Sequence, residues 1–63
     1  GYPSVQLDLV YANGIPIRNI FAGTVQPGEQ FIAVDWSGLD LAHTYLVLRR
    51  NSQIVSTKLL SNL

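Results

Sequence analysis

The chain has 63 residues, the length of one small domain, so we treat residues 1–63 as a single module. It has no cysteine and one histidine, which excludes a disulfide and a structural zinc site of the finger or ribbon type. Four basic and four acidic residues cancel, so the chain lacks the net charge that would attract nucleic acid or an anionic membrane surface.

Apolar and polar residues alternate in short runs, which is typical of β-strands. The pattern predicts five strands, at residues 5–11, 15–21, 30–36, 44–50 and 53–60. Pro16 lacks an N–H group, so the second strand is expected at a sheet edge. The third strand is apolar on both faces, so it is expected to be central. Residues 39–43 are expected to form a loop or one short turn of helix.

Turn residues separate these strands. An asparagine-glycine pair predicts a tight type I′ hairpin turn, and a proline-glycine pair predicts a type II turn. A serine-glycine pair ends the third strand, and the asparagine-serine pair at 51–52 is a weaker hairpin signal. The predicted turn-forming residues are Asn13, Gly14, Pro27, Gly28 and Gly38. Five short strands separated by such turns predict an all-β sandwich or an open barrel.

Few residues suggest chemistry, and we expect no enzymatic activity, no metal and no cofactor. His43 is interpreted as a loop residue; the alternative is a serine–histidine pair, but Ser37 lacks the motif of a nucleophile elbow. Asp35 and Asp40 are expected to accept backbone hydrogen bonds in turns, with a calcium site as the alternative. No run of about 18 apolar residues is present, so we expect no membrane insertion.

Basic and aromatic side chains offer two further alternatives. The pair at 49–50 could form a small positive patch with Lys58, or simply be a solvated strand end. The aromatic residues Tyr2, Tyr11, Trp36 and Tyr45 could form a sugar-stacking platform. Because Trp36 and Tyr45 lie in apolar runs, a place in the core is the favoured interpretation for both.

The motifs follow one another in a definite order. They are Asn13-Gly14, residues 26–30 (Gln-Pro-Gly-Glu-Gln), residues 35–39 (Asp-Trp-Ser-Gly-Leu), Thr44-Tyr45, and a last strand ending in Lys58-Leu59-Leu60. This order resembles the C-terminal sorting domain of proteins exported by the type IX secretion system of Bacteroidetes bacteria. The resemblance covers nearly the whole chain, although each motif alone is weakly specific.

The resemblance implies an immunoglobulin-like antiparallel β-sandwich that acts as a non-catalytic secretion signal. It implies an upstream cargo domain, and as partners the outer-membrane secretion machinery and a sortase-like peptidase. The expected destination is the cell surface or the medium, by way of the periplasm and outer membrane. The candidate recognition residues lie in and around the last strand: Asn51, Gln53, Val55, Lys58, Leu59 and Leu60.

The chain also departs from the family pattern. Ser52 replaces the hairpin glycine, and family members usually begin with an extra strand, of which Tyr2-Pro3 resembles a remnant. Lack of that strand would leave an open edge through which the chain could associate with itself. Two other functions stay open: an immunoglobulin-like structural or interaction module, as in flagellar hook-assembly proteins, and a carbohydrate-binding β domain.

Overall fold

The computed structural model describes residues 2–29 and 31–62. Four strands within these ranges form one antiparallel sheet with the strand order β2-β1-β3-β4. The strands are β1 (Ser4–Tyr11), β2 (Pro16–Thr24), β3 (Thr44–Arg50) and β4 (Gln53–Leu59). Short 3₁₀ turns at Leu41–His43 and Leu60–Asn62 precede β3 and follow β4. The predicted β class is confirmed, and the expected short turn of helix lies within residues 39–43. The sheet has four strands rather than five.

The predicted central strand at residues 30–36 is wrong. Gln30 lies outside the described residues, and residues 31–36 run irregularly without a ladder partner. Exposure still alternates, since Ile32 and Val34 are half-buried while Phe31 is 88% exposed. An alternating pattern favours extended backbone, but a ladder also needs a neighbouring strand. Both inner strands, β1 and β3, already have a neighbour on each side.

The expectation that Pro16 lies on an edge strand is confirmed, because among the described residues β2 pairs with β1 on one side and with nothing on the other. The β1–β2 ladder is also irregular. Its register shifts between Leu7 and Asp8 and again between Leu9 and Val10, where Pro16 is the partner of Val10. Bulges and proline both reduce the ability of an edge to pair with a further strand.

The first hairpin turn differs from the predicted type I′. The Gly14 N–H donates to the Tyr11 carbonyl at 2.8 Å, and the Tyr11 N–H donates to the Ile15 carbonyl at 2.9 Å. Gly14 has a φ of +90°, whereas Asn13 is not among the described residues with positive φ. The connection is therefore a three-residue loop, in which a type I turn is followed by a glycine bulge. Only the glycine needs a left-handed conformation there.

The second hairpin turn, between β3 and β4, is the one with type I′ character. Asn51 and Ser52 have φ values of 50° and 70°, and they are the only described non-glycine residues with positive φ. At the other predicted turns, Gly28 and Gly38 have φ values of +111° and +77°. The turn that contains Gly38 is closed by a hydrogen bond from the Leu39 N–H to the Trp36 carbonyl at 3.2 Å.

The buried residues of the sheet lie on both of its faces. Leu7 and Leu9 point to one side, which we call the inner face, and Leu9 is fully buried. Asp8 and its cross-strand partner Val47 point to the other side, which we call the groove face. The buried apolar residues among those described are Leu7, Leu9, Val47 and Leu60.

Residues 31–36 are joined to the sheet by a hydrogen bond from the inner face. Arg18 is the cross-strand partner of Leu9, so its side chain leaves β2 on that face. Its Nη1 donates to the Asp35 carbonyl at 2.7 Å. The predicted core position of Trp36 is wrong: this side chain is 42% exposed, because it stands at a turn and not in a paired strand.

Candidate functional site

β4 is an edge strand, since it pairs with β3 on one side and with no described residue on the other. Its ladder shifts register between Leu48 and Arg49, which leaves Val55 as an extra residue on β4. Ile54 and Val55 are 59% and 49% exposed at this bulge. A strand from another chain could therefore hydrogen-bond to β4 and contact its apolar side chains.

Two of the candidate recognition residues are held by their own chain. The Asn51 N–H donates to the Ser4 carbonyl at 2.9 Å, and its Oδ1 accepts from the Ser4 N–H at 3.2 Å. Leu60 is only 5% exposed, and Leu59 beside it is half-buried. Asn51 therefore joins the turn to the start of β1, while Leu60 belongs to the core.

Three of the other four candidates are open to solvent. Gln53, Val55 and Lys58 are all exposed. Lys58 is paired with Leu46, which in turn is paired with Leu9, so Lys58 leaves β4 on the inner side of the sheet. Ile54 is equally accessible and was missed by the sequence reasoning. The position of Ile54 opposite Arg49 depends on the bulge at Val55, and no motif in the sequence predicts that bulge.

A shallow groove of about 360 Å³ lies on the groove face. It runs from the first hairpin across β3 to β4, and its walls include Val10, Tyr45, Val47, Ile54 and Thr57. Of the four aromatic residues considered as a sugar platform, Tyr11 and Tyr45 lie here, whereas Tyr2 and Trp36 do not. The structure therefore does not bring the four aromatic side chains into one platform.

A polar network sits on the same face. Asp8 is 6% exposed, and its carboxylate accepts hydrogen bonds from three side chains. Gln6 Nε2 lies 2.7 Å from Oδ2, Asn19 Nδ2 lies 2.8 Å from Oδ1, and Arg49 Nη1 lies 2.9 Å from Oδ2. Asn19 also donates to the Phe21 carbonyl at 3.2 Å, across the irregular part of the β1–β2 ladder. The network thus ties three strands together.

The basic residues do not form one patch. The charge of Arg49 is engaged with Asp8 on the groove face. Arg50 is paired with Val5 and Lys58 with Leu46, so both leave the sheet on the inner side. Successive residues of a strand point to opposite faces, which is why the adjacent pair at 49–50 is divided.

Asp35 and Asp40 each accept hydrogen bonds in a turn. Ser37 donates from its backbone N–H at 3.1 Å and its hydroxyl at 2.8 Å to Asp35, which lowers the pKa of that carboxyl. The pKa of Asp40 is lowered mainly by His43, whose Nδ1 lies 2.7 Å from Oδ2. Asp40 also caps the 3₁₀ turn by accepting from the Ala42 N–H.

These contacts test two alternatives that the sequence left open, a serine–histidine pair and a calcium site. Ser37 is bonded to Asp35, while His43 is bonded to Asp40, so the structure does not bring Ser37 and His43 together as a hydrogen-bonded pair. Within residues 2–29 and 31–62, no group of three or more histidine and acidic side chains could hold a metal ion. Over the same ranges no helix has the length and apolar character needed to span a membrane.

The candidate site therefore consists of the exposed edge of β4, residues 53–58, bordered by the groove on one face of the sheet. Comparison of the chain with protein-family models, with curated proteins and with solved structures found no match.

Proposed function

We propose that the chain is a non-catalytic sorting signal of the type IX kind, which directs an attached cargo through the outer membrane to the cell surface. One observation carries the proposal. The segment in which the resemblance places recognition forms an edge strand whose exposed residues include Gln53, Val55 and Lys58. The partners proposed are the outer-membrane secretion machinery, a sortase-like peptidase and an upstream cargo domain.

Edge pairing gives this proposal a physical mechanism. A receptor strand added to β4 would gain main-chain hydrogen bonds, and it would read alternate side chains for specificity. Lys58 supplies the one charge on β4, since the rest of the strand is neutral. The residues proposed for direct contact are therefore Gln53, Val55 and Lys58. Asn51 is also exposed, but its side chain is hydrogen-bonded to Ser4, and Leu60 is buried in the core.

The proposal includes an immunoglobulin-like sandwich in which residues 31–36 belong to the second layer. Two features support that assignment. Arg18, whose side chain leaves the sheet on the inner face, donates a hydrogen bond to the Asp35 carbonyl of this segment. Ile32 and Val34 are half-buried while Phe31 and Ala33 between and beside them are exposed, as in a strand with one covered face.

The test is to fuse the chain to the C-terminus of a secreted reporter in a bacterium that has the type IX system. We expect the reporter at the cell surface or in the medium. Lys58→Ala should reduce delivery, while the matched change Arg50→Ala, which removes an exposed cation from the inner strand β3, should not. Retention of the wild-type fusion in the periplasm, when a family member delivers the same reporter, would refute the proposal.

An interaction module of a larger protein is the second candidate, and the groove favours it. Tyr45, Ile54 and Thr57 form an open, largely apolar surface suited to a protein partner. This function predicts that Lys58→Ala leaves delivery unchanged. Point changes discriminate better than deletion of residues 58–63, because the deletion also removes the buried Leu60.

A further inference from the structure

The chain exposes more surface than a compact protein of its mass. Its accessible surface is 4542 Å². A monomer of 6.9 kDa is expected to expose about 4,000 Å² by the usual scaling of surface with mass. The excess of about 500 Å² is comparable to the ~800 Å² that each partner buries in a standard protein–protein interface.

The two edges of the sheet are not equally suited to pairing. The β2 edge carries Pro16 and two register shifts, which disfavour the addition of a strand. β4 contains no proline, and its ladder is regular from Ser56 to Leu59. The exposed apolar residues Ile54 and Val55 lie at the bulge that precedes this regular stretch. Of the two sheet edges, the β4 edge is therefore the one open to a further strand.

We propose that two copies of this chain associate by antiparallel pairing of their β4 strands around a two-fold axis at Thr57. In this register Thr57 faces Thr57, while Val55 of each copy faces Leu59 of the other. Pairs of threonines and pairs of apolar residues are favourable cross-strand neighbours. The register is centred on the regular part of β4, residues 56–58, with the bulge residue Val55 at its end. It joins the two four-stranded sheets into one of eight strands.

Charge permits this association. The net charge of the chain is zero, so two copies do not repel each other as whole molecules, and such chains tend to associate. The one charged residue of β4 is Lys58, which in this register faces Ser56 of the other copy. The two Lys58 side chains lie diagonally about 7–8 Å apart, within one Debye length, so added salt should strengthen the dimer.

The inference is independent of the proposed function, although both concern the β4 edge. A second copy and a receptor strand would compete for the same backbone groups. Lys58→Ala separates the two ideas, since it should weaken delivery of a cargo but strengthen pairing between copies. Pairing between copies can be measured with the purified 63-residue chain alone.

The experiment is sedimentation equilibrium of the chain from about 10 μM to 1 mM, with circular dichroism to confirm the fold of each variant. We expect a concentration-dependent dimer. Thr57→Lys and Thr57→Glu each place like charges opposite one another, and each should weaken the dimer at least about five-fold. An equimolar mixture of the two should restore dimers, because the opposite charges then meet. Ala22→Lys, on the exposed β2 edge, is the matched control and should have no effect.

Three results would overturn the inference. One is a wild-type chain that stays monomeric up to 1 mM. Another is a dimer unaffected by both charges at position 57, and the third is a dimer weakened by the control at Ala22 instead. The mixed sample keeps the test valid even if one variant alone is less stable, since restored dimers require both variants to be folded.

Discussion

Replacement of Asp8 by alanine tests the polar network of the groove face. The change removes an acceptor of three side-chain hydrogen bonds, one of them from Arg49. A hydrogen bond to a charged group contributes about 1.5–3 kcal/mol, and breaking a fully buried ion pair costs about 3–5 kcal/mol. The Arg49 side chain is 33% exposed, so water can solvate it again and reduce the loss. We therefore expect a loss of about 2 kcal/mol in the free energy of unfolding.

A loss of this size is large for so short a chain. At about 0.05–0.15 kcal/mol per residue, the whole domain has a free energy of unfolding of about 3–9 kcal/mol. The measurement is urea unfolding followed by circular dichroism, for Asp8→Ala, Arg49→Met and the double variant. Methionine keeps the apolar stem of the arginine while removing its charge. The two changes should be coupled by about 1–2 kcal/mol, because the residues are in direct contact.

The matched control is Arg50→Met, at an exposed arginine that leaves the sheet on the opposite face. It should change the free energy of unfolding by less than about 0.5 kcal/mol. The reasoning would be refuted if the coupling between Asp8 and Arg49 were zero within error. It would also be refuted if the control cost as much as Arg49→Met, since the loss would then not depend on the network.

Two further predictions concern the turns. Ser52→Gly should stabilise the chain by about 1 kcal/mol, because Ser52 has a φ of 70° that glycine adopts without steric cost; a lower urea midpoint for this variant would contradict the argument. The pKa of Asp40 is lowered mainly by His43, so the contribution of this carboxylate to stability is present above its unfolded-state pKa and is lost as pH falls through the folded value. In a carboxyl NMR titration, His43→Ala should raise the pKa of Asp40, whereas the pKa of Asp35 should stay unchanged.

Local signals account for much of the fold. The alternation in residues 5–11 and 44–50 predicted β1 and β3 with almost their observed bounds, and the missing N–H of Pro16 predicted an edge. Both are properties of a residue and its near neighbours in the chain. The same kind of reasoning failed at residues 31–36. The alternating pattern there agrees with an extended backbone, but no strand of the described residues pairs with this segment.

The candidate site was only partly predictable for the same reason. Exposure of Gln53, Val55 and Lys58 agrees with a recognition role, but the sequence could not show that Asn51 bonds to Ser4, 47 residues away in the chain. Nor could it show that Arg49 meets Asp8 across the sheet. Both contacts depend on strand register.

The sequence by itself determined that this chain is a small, neutral, mostly β protein, because composition and alternation act within a few residues. Tertiary structure decided which strand lies at the open edge, which charges are engaged and which apolar residues stay exposed. Those properties depend on the order β2-β1-β3-β4 and on the bulge in β4, which arise only when distant segments pair.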